Sequence, residues 1–181
     1  YMEHITRQEI DDLNCYDEVV TLTDVDRKEL QSSGVKVPIT VSPASVNACL
    51  MDYNGWNGKI TFLGGYGHTP NQEGMDWFIN KVIPLVDWKQ YPNVRVQIVG
   101  GGWPMSYNND NGPVKVECKG FVKELADVAF GSIMIVPILS GSGMRMKILE
   151  AAAMGLPMVT TTVGVEGLDF ENEKSCLIAD T

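Results

Sequence analysis

One segment near the C-terminal end of the chain, residues 136–167, constrains the fold more than any other. Its sequence is VPILSGSGMRMKILEAAAMGLPMVTTTVGVEG. An apolar run, a glycine- and serine-rich loop, a helical pattern, a Gly-Leu-Pro turn and a second apolar run predict a strand–helix–strand unit. Units of this kind build a parallel sheet with helices packed on its faces.

The loop that opens the helix of this segment has the composition of an anion site. Residues 139–143 are LSGSG, small enough for a ligand to approach the backbone closely. Free N–H groups at a helix start attract negative charge, and Arg145 and Lys147 add two cations there. The pattern indicates a diphosphate site, with Glu150 accepting hydrogen bonds from ribose hydroxyls. It is equally compatible with a plain turn in which Lys147 and Glu150 form a solvated ion pair.

Strand and helix patterns alternate along the rest of the chain. We predict helices over 3–13, 24–33, 71–81, 123–130 and 145–154, and strands over 17–22, 37–41, 59–63, 94–99, 114–118, 133–137, 157–161 and 177–178. This order predicts an α/β fold with a doubly wound parallel sheet. Residues 48–58, which contain two Asn-Gly pairs, are predicted to be a linker between a first part, 1–47, and a second, 59–181.

The loop 64–68 follows the first strand of the second part. Its glycines, Gly65 among them, would let a phosphate or sugar come close, and His68 could donate a hydrogen bond. A plain strand–helix turn with an exposed histidine is the favoured interpretation. The loop lacks the third glycine of a dinucleotide fingerprint, which argues against a dehydrogenase or epimerase.

Two further loops follow predicted strands and therefore lie at the same edge of the sheet. Phe121 and Val122 could clamp a nucleobase, or both could simply pack into the core. The hydroxyls of residues 160–162 suit phosphate oxygens, and Glu166 could meet a sugar hydroxyl or be an ordinary surface carboxylate.

Composition excludes several classes of function. The net charge of −9 over 181 residues argues against a nucleic-acid surface. The sequence has no apolar run of about 18 residues and no spacing typical of metal ligands, so we expect neither a membrane span nor a bound metal. The four cysteines are far apart, as in cytoplasmic proteins. Because Tyr1 precedes Met2, we expect a fragment of a longer protein.

Taken together, these segments resemble the group 1 glycosyltransferases, the large retaining class with the two-domain GT-B fold. The motifs that carry the resemblance, in chain order, are Val-Gly-Gly at 99–101, Gly-x-Val at 120–122, Lys-x-x-Glu-Ala at 147–151, Gly-x-Pro-x-Val-x-Thr at 155–161 and Glu-Gly at 166–167. They cover residues 59–181 and correspond to the family's C-terminal, Rossmann-like domain. Residues 1–47 bear a weaker similarity to the end of its N-terminal, acceptor-binding domain.

The resemblance implies a site for a nucleotide-sugar donor and no other cofactor. By position, Phe121 and Val122 would flank the base and Glu150 would bind ribose. Arg145 and Lys147 would be the catalytic pair that neutralises the departing diphosphate. The remaining donor contacts would come from Gly65, Ser142, Gly143, Met144 and Glu166. The whole enzyme would transfer a hexose to a glycan or lipid-linked acceptor, in the cytoplasm and with peripheral membrane association, and the fragment alone would be inactive.

Two departures from the family pattern leave an alternative open. Ser142 stands where many members carry a glutamate that contacts the sugar, and the loop 64–68 has His68 but no basic pair. A non-catalytic module that binds nucleotides or nucleotide-sugars is therefore the second hypothesis.

Overall fold

The computed structural model describes residues 6–48, 50, 54–141 and 143–180. A small unit comes first, with the order α1 (Arg7–Leu13), β1 (Val19–Thr21), α2 (Asp24–Ser33) and β2 (Ile39–Val41). Its two strands pair in parallel, Val19 with Ile39. A two-stranded sheet buries little, and Val20 is 61% exposed. The strand predicted over 17–22 is shorter in the structure, with three residues, and it is only partly buried.

Local caps explain the helices of the first unit. Thr6 accepts a hydrogen bond from the Glu9 N–H while the Glu9 carboxylate accepts one from the Thr6 N–H, so α1 begins with a capping box. Thr23 caps α2 by accepting from the Asp26 N–H. Gly34 ends α2 in the left-handed region with φ of 110°, as a glycine there favours. The predicted bounds of α2 are confirmed; α1 begins later than predicted, and residues 3–5 lie outside the described part.

The second part is a sheet of six parallel strands in the spatial order β5-β4-β3-β6-β7-β8. The strands are β3 (Lys59–Leu63), β4 (Arg95–Val99), β5 (Lys115–Gly120), β6 (Ser132–Val136), β7 (Met158–Thr160) and β8 (Leu177–Ile178). Most residues of the central strands are buried, and Phe62, Ile98 and Met134 have no exposed surface. The doubly wound parallel sheet predicted from the sequence is confirmed.

Three helices connect the strands: α3 (Thr69–Trp77), α4 (Ala126–Ala129) and α5 (Met146–Ala153). Right-handed crossovers place α3 on one face of the sheet and α4 and α5 on the other. The chain reverses its direction of winding between β3 and β6, so the crevice beyond their carboxyl ends is the topological switch point.

In the second part, two predicted helices differ from those observed by more than one residue at an end. The helix predicted over 71–81 begins earlier, at Thr69, because Pro70 is well placed in a first turn. It leaves the α-helical pattern after Trp77 and continues as a π-helix over Phe78–Val82 and a 3₁₀ turn over Ile83–Leu85. The helix predicted over 123–130 shrinks to α4, the four residues Ala126–Ala129.

Within the described ranges, the chain forms no helix long and apolar enough to cross a membrane.

Candidate functional site

The switch point is built on glycine backbone that leaves no room for side chains. Gly100, after β4, has φ of 147°, and a Cβ there would lie 2.2 Å from the Gly64 carbonyl oxygen. A Cβ on Gly74, in α3, would lie 2.2 Å from the Pro137 carbonyl oxygen. Because both positions are glycine, the loop after β3 packs against the end of β4, and the middle of α3 packs against the residue that follows β6. The ends of three strands therefore close around one crevice.

Lys147 is the central cation of this crevice. It rises from the first turn of α5 and donates a hydrogen bond of 2.6 Å to Asn71 Oδ1, on the first turn of α3. Its ammonium lies 4.5 Å from the centroid of the Phe62 ring. A Cβ on Gly64 would come within 2.9 Å of Lys147 Nζ, so the glycine lets the ammonium reach the loop after β3.

Burial makes the Lys147 charge costly. Burial, together with the positive charge of Arg145, lowers the pKa of Lys147 to about 8, and Glu150 opposes this shift weakly. Among the described residues its hydrogen-bond partner is a neutral amide and not a carboxylate. The interpretation of Lys147 and Glu150 as a solvated ion pair is therefore wrong.

Arg145 organises the glycine loop from inside. Its side chain is buried and donates to the Gly141 carbonyl oxygen at 2.7 Å and to the Gly143 carbonyl oxygen. Burial lowers the pKa of Arg145, while the negative charge of Glu166 raises it. The guanidinium therefore holds the loop and adds positive charge near Lys147 and Glu166. Ser142, a predicted donor contact, lies outside the described residues.

The remaining predicted residues follow the carboxyl ends of strands or lie on α5, and they differ in exposure. Phe121 is 83% exposed just after β5, so the interpretation that both it and Val122 pack into the core is wrong for Phe121. Val122 does pack partly against the core. Gly65, Gly143, Glu150 and Glu166 are exposed, and Met144 is partly buried. The roles assigned to these residues stay predictions.

Sequence reasoning missed the contribution of Asn71. It is buried, and besides accepting from Lys147 it donates through Nδ2 to the Gly65 carbonyl oxygen at 2.8 Å. A polar residue on the first turn of the helix after β3, with apolar residues nearby, is the signal that could have indicated it. The hydroxyl of Thr161, predicted to suit phosphate oxygens, instead bonds to the protein itself. Its Oγ1 donates to the Ile138 carbonyl oxygen and accepts from the Gly164 N–H.

No group of three or more potential metal-ligating side chains occurs in the part of the chain that the structure describes.

Comparisons of this chain with known proteins match it to a protein family and to a curated relative. The family model described as "Glycosyl transferases group 1" matches residues 57–181. An "uncharacterized 44.6 kDa protein in cps region" of Klebsiella pneumoniae is 28% identical over 141 residues, which cover 68% of this chain and 34% of that protein. The chain thus spans about a third of the length of this curated relative.

Solved structures share the fold at low sequence identity. TarM superposes with a TM-score of 0.76 at 18% identity, over 96% of this chain and 35% of that one. HepE of Anabaena, crystallised with UDP and glucose, gives 0.72 at 12% identity, over 99% and 55%. The pneumococcal O-GlcNAc transferase GtfA, in complex with UDP and GlcNAc, gives 0.67 at 18% identity, over 93% and 36%.

Proposed function

Because this chain belongs to the group 1 glycosyl transferases, we propose that its switch-point crevice binds a nucleoside diphosphate sugar, as the donor-binding part of a retaining hexosyltransferase. The buried Lys147 ammonium carries the proposal. Taking an ammonium out of water costs free energy, and a neutral amide compensates for only part of that cost. A diphosphate supplies the missing negative charge.

The surroundings of Lys147 fit a diphosphate better than a single carboxylate. Arg145 adds a second positive charge, and Gly141 and Gly143 offer backbone close to the start of α5, where the helix dipole favours anions. When the bond between the anomeric carbon and the diphosphate oxygen breaks, negative charge develops on the leaving group. Fixed positive charges in a partly buried site stabilise that charge, which lowers the barrier to transfer.

In this proposal, other residues bind the nucleobase and the ribose of the donor. Phe121 is an exposed aromatic at the end of β5 and can stack on a nucleobase. Glu150, exposed on α5 one turn beyond Lys147, can accept hydrogen bonds from ribose hydroxyls. Support comes from HepE and GtfA, whose structures contain UDP with glucose and with GlcNAc.

The whole enzyme would pass the sugar to a glycan or lipid-linked acceptor held largely by parts outside this chain. A role in polysaccharide biosynthesis is supported by the Klebsiella relative, whose name refers to the cps region. We place the enzyme in the cytoplasm with peripheral contact to a membrane, and we assign it no metal and no cofactor beyond the donor.

Calorimetric titration with UDP and with GDP tests the donor site. We expect binding of one nucleotide in the micromolar to millimolar range, weakened at least tenfold in Lys147→Ala and in Glu150→Ala. Tenfold corresponds to about 1.4 kcal/mol, the strength of one charge-assisted hydrogen bond. Lys81→Ala, which removes an exposed lysine after α3, is the matched control and should bind as the wild type does. A folded wild type that binds neither nucleotide, or variants that bind equally well, would contradict the proposal.

Ser142 favours one second candidate, a module that binds the nucleotide-sugar without transferring the sugar, because a serine stands where the family's sugar-contacting glutamate is common. The full-length protein separates the two. Release of free UDP or GDP from the donor in the presence of an acceptor indicates a transferase, whereas binding without release indicates the module.

A further inference from the structure

A groove distinct from the donor crevice runs along the sheet face that carries α4. It encloses about 540 Å³ and is lined mainly by charged and amide side chains from β3, β4 and β5 and by the edge of α4. Its cationic members are Lys59, Arg95, Lys115 and Lys119. In a chain with 14 basic residues and a net charge of −9, this is a local concentration of positive charge.

Three of these cations stand side by side at the amino ends of their strands. Lys59 pairs in register with Arg95, and Arg95 with Lys115, so neighbouring side chains start about 4.8 Å apart on one face. Like charges directly opposite each other on neighbouring strands destabilise a sheet. Burial lowers the pKa of Lys59, and the positive charges of Arg95 and Lys119 lower it further. The fold therefore tolerates a repulsion that a bound anion would relieve.

Internal carboxylates neutralise only part of the row. Lys115 pairs with Asp110 at 2.9 Å and Lys119 with Glu117 at 2.8 Å, both in exposed or half-exposed positions where ion pairs contribute little. Lys59 donates to the Val128 carbonyl oxygen at 3.1 Å, and in the described ranges neither it nor Arg95 forms an ion pair with a carboxylate. The surplus positive charge is thus on β3 and β4.

The other lining groups restrict the chemistry of the ligand. Gln97, Glu117 and Asp127 present oxygens that accept hydrogen bonds, so the ligand needs donors as well as negative charges. Only Val122 and Val128 are apolar, which leaves little for a lipid chain or an apolar peptide side chain to contact. No aromatic side chain lines the groove for base stacking, and the acidic chain repels nucleic acid. Hydroxyl groups and regularly spaced anionic groups occur together in acidic oligosaccharides.

The groove also has a direction. It extends along β5 from Lys115 and on to Val122, just beyond the end of the strand, which is about 20 Å at the rise of a strand. Val122 adjoins Phe121 at the edge of the sheet that holds the donor crevice. A chain lying in it would reach from the reaction edge to the opposite edge of the sheet.

From this placement we propose that the groove formed by Lys59, Arg95 and Lys115 binds an acidic oligosaccharide, a stretch of the glycan on which the enzyme works. The identification of the ligand as that glycan rests on the proposed function, whereas the anion site itself rests on the groove alone.

Calorimetry with matched hexasaccharides tests the site. The probes are hexagalacturonate and a heparin-derived hexasaccharide, with neutral maltohexaose as the uncharged comparison. The groove variant is Arg95→Gln/Lys115→Gln, whose two side chains are exposed and tolerate replacement. The control variant, Lys36→Gln/Lys81→Gln, makes the same change in charge at two exposed lysines outside the groove.

We expect at least one acidic probe to bind the wild type, to bind the groove variant at least tenfold more weakly, and to bind the control variant within twofold of wild type. Maltohexaose should not bind. Equal loss in both variants, equal binding of maltohexaose, or no binding of either acidic probe would overturn the inference. UDP and GDP titrations on the same samples keep the two proposals separate: the groove variant should retain nucleotide binding, and failure of nucleotide binding alone would refute the donor site and not the groove.

Discussion

Replacing Lys147 with methionine should change how stability depends on pH. Methionine keeps a long apolar side chain over Phe62 but removes the ammonium that burial disfavours. The pKa of Lys147 is lowered to about 8 from the ordinary 10.5. Between these two values the unfolded chain binds more protons than the folded one, so wild-type stability rises with pH across this window.

The size of the effect follows from the shift in pKa. The pKa of Lys147 differs by about 2.5 between the folded and the unfolded chain. At about 1.36 kcal/mol for a pKa difference of one, this lowers the free energy of unfolding by about 3 kcal/mol. Below pH 8 the folded wild type is destabilised by this full amount, and by pH 10.5 most of the destabilisation has disappeared. Relative to the wild type, Lys147→Met should therefore lose about 3 kcal/mol of stability between pH 7.5 and pH 10.5. The lost hydrogen bond to Asn71 adds an offset of about 1–3 kcal/mol that varies little with pH.

Urea unfolding followed by tryptophan fluorescence, at half-unit steps from pH 7 to 10.5, measures this difference. The other titrating groups, including Tyr107, whose pKa is raised by burial and by its bond to Asp76, are common to both proteins and cancel. A difference in unfolding free energy that stays constant across the range would refute the assignment of a buried, charged Lys147. A difference that moves in the opposite direction would do the same.

Three further outcomes are expected. Gly100→Ala should lower the unfolding free energy by at least about 2 kcal/mol, because its Cβ would meet the Gly64 carbonyl oxygen at a positive φ. The control Gly101→Ala, where a Cβ has open space, should change it by under about 0.5 kcal/mol in the same urea assay. Phe121→Ser should leave the urea midpoint unchanged yet weaken UDP or GDP binding at least fivefold, about 1 kcal/mol of lost base stacking; unchanged affinity would contradict a role at the base. Thr161→Val should lower the unfolding free energy by about 1–3 kcal/mol, since a carbonyl and an N–H lose their buried partner, and an unaltered melting temperature would show that those bonds contribute nothing.

The sequence predicted the elements whose causes are local. The bounds of α2 follow from Thr23 at its start and Gly34 at its end, and both are visible in the sequence. The strand β3 was predicted residue for residue, since its β-branched and aromatic residues form a short run between Gly58 and Gly64. Where structure depends on packing, prediction was weaker. The change to a π-helix after Trp77 was not predicted, although Pro84, which cannot continue an α-helix, follows at once in the 3₁₀ turn.

The site shows the same division. Cations beside a glycine loop could be identified from residues 139–147, and their place beyond the strand ends follows from the alternation of elements. The partner of Lys147 could not, because Asn71 lies 76 residues earlier and meets it only across the switch point. The solvated pair with Glu150 was the alternative that helical spacing left open, and burial of the lysine overrides that spacing.

The hydrogen bond between Asn71 and Lys147 has a consequence for any anion that binds the lysine. An amide oxygen steers the ammonium and holds it in place without cancelling its charge, as an aspartate would. A diphosphate at the proposed donor site would therefore not have to displace a carboxylate from Lys147. Because the same amide also donates to the Gly65 carbonyl oxygen, capture of the lysine by a ligand would loosen one attachment of the loop after β3. Through Asn71, a ligand bound at Lys147 on α5 would therefore alter how the loop after β3 is attached to α3.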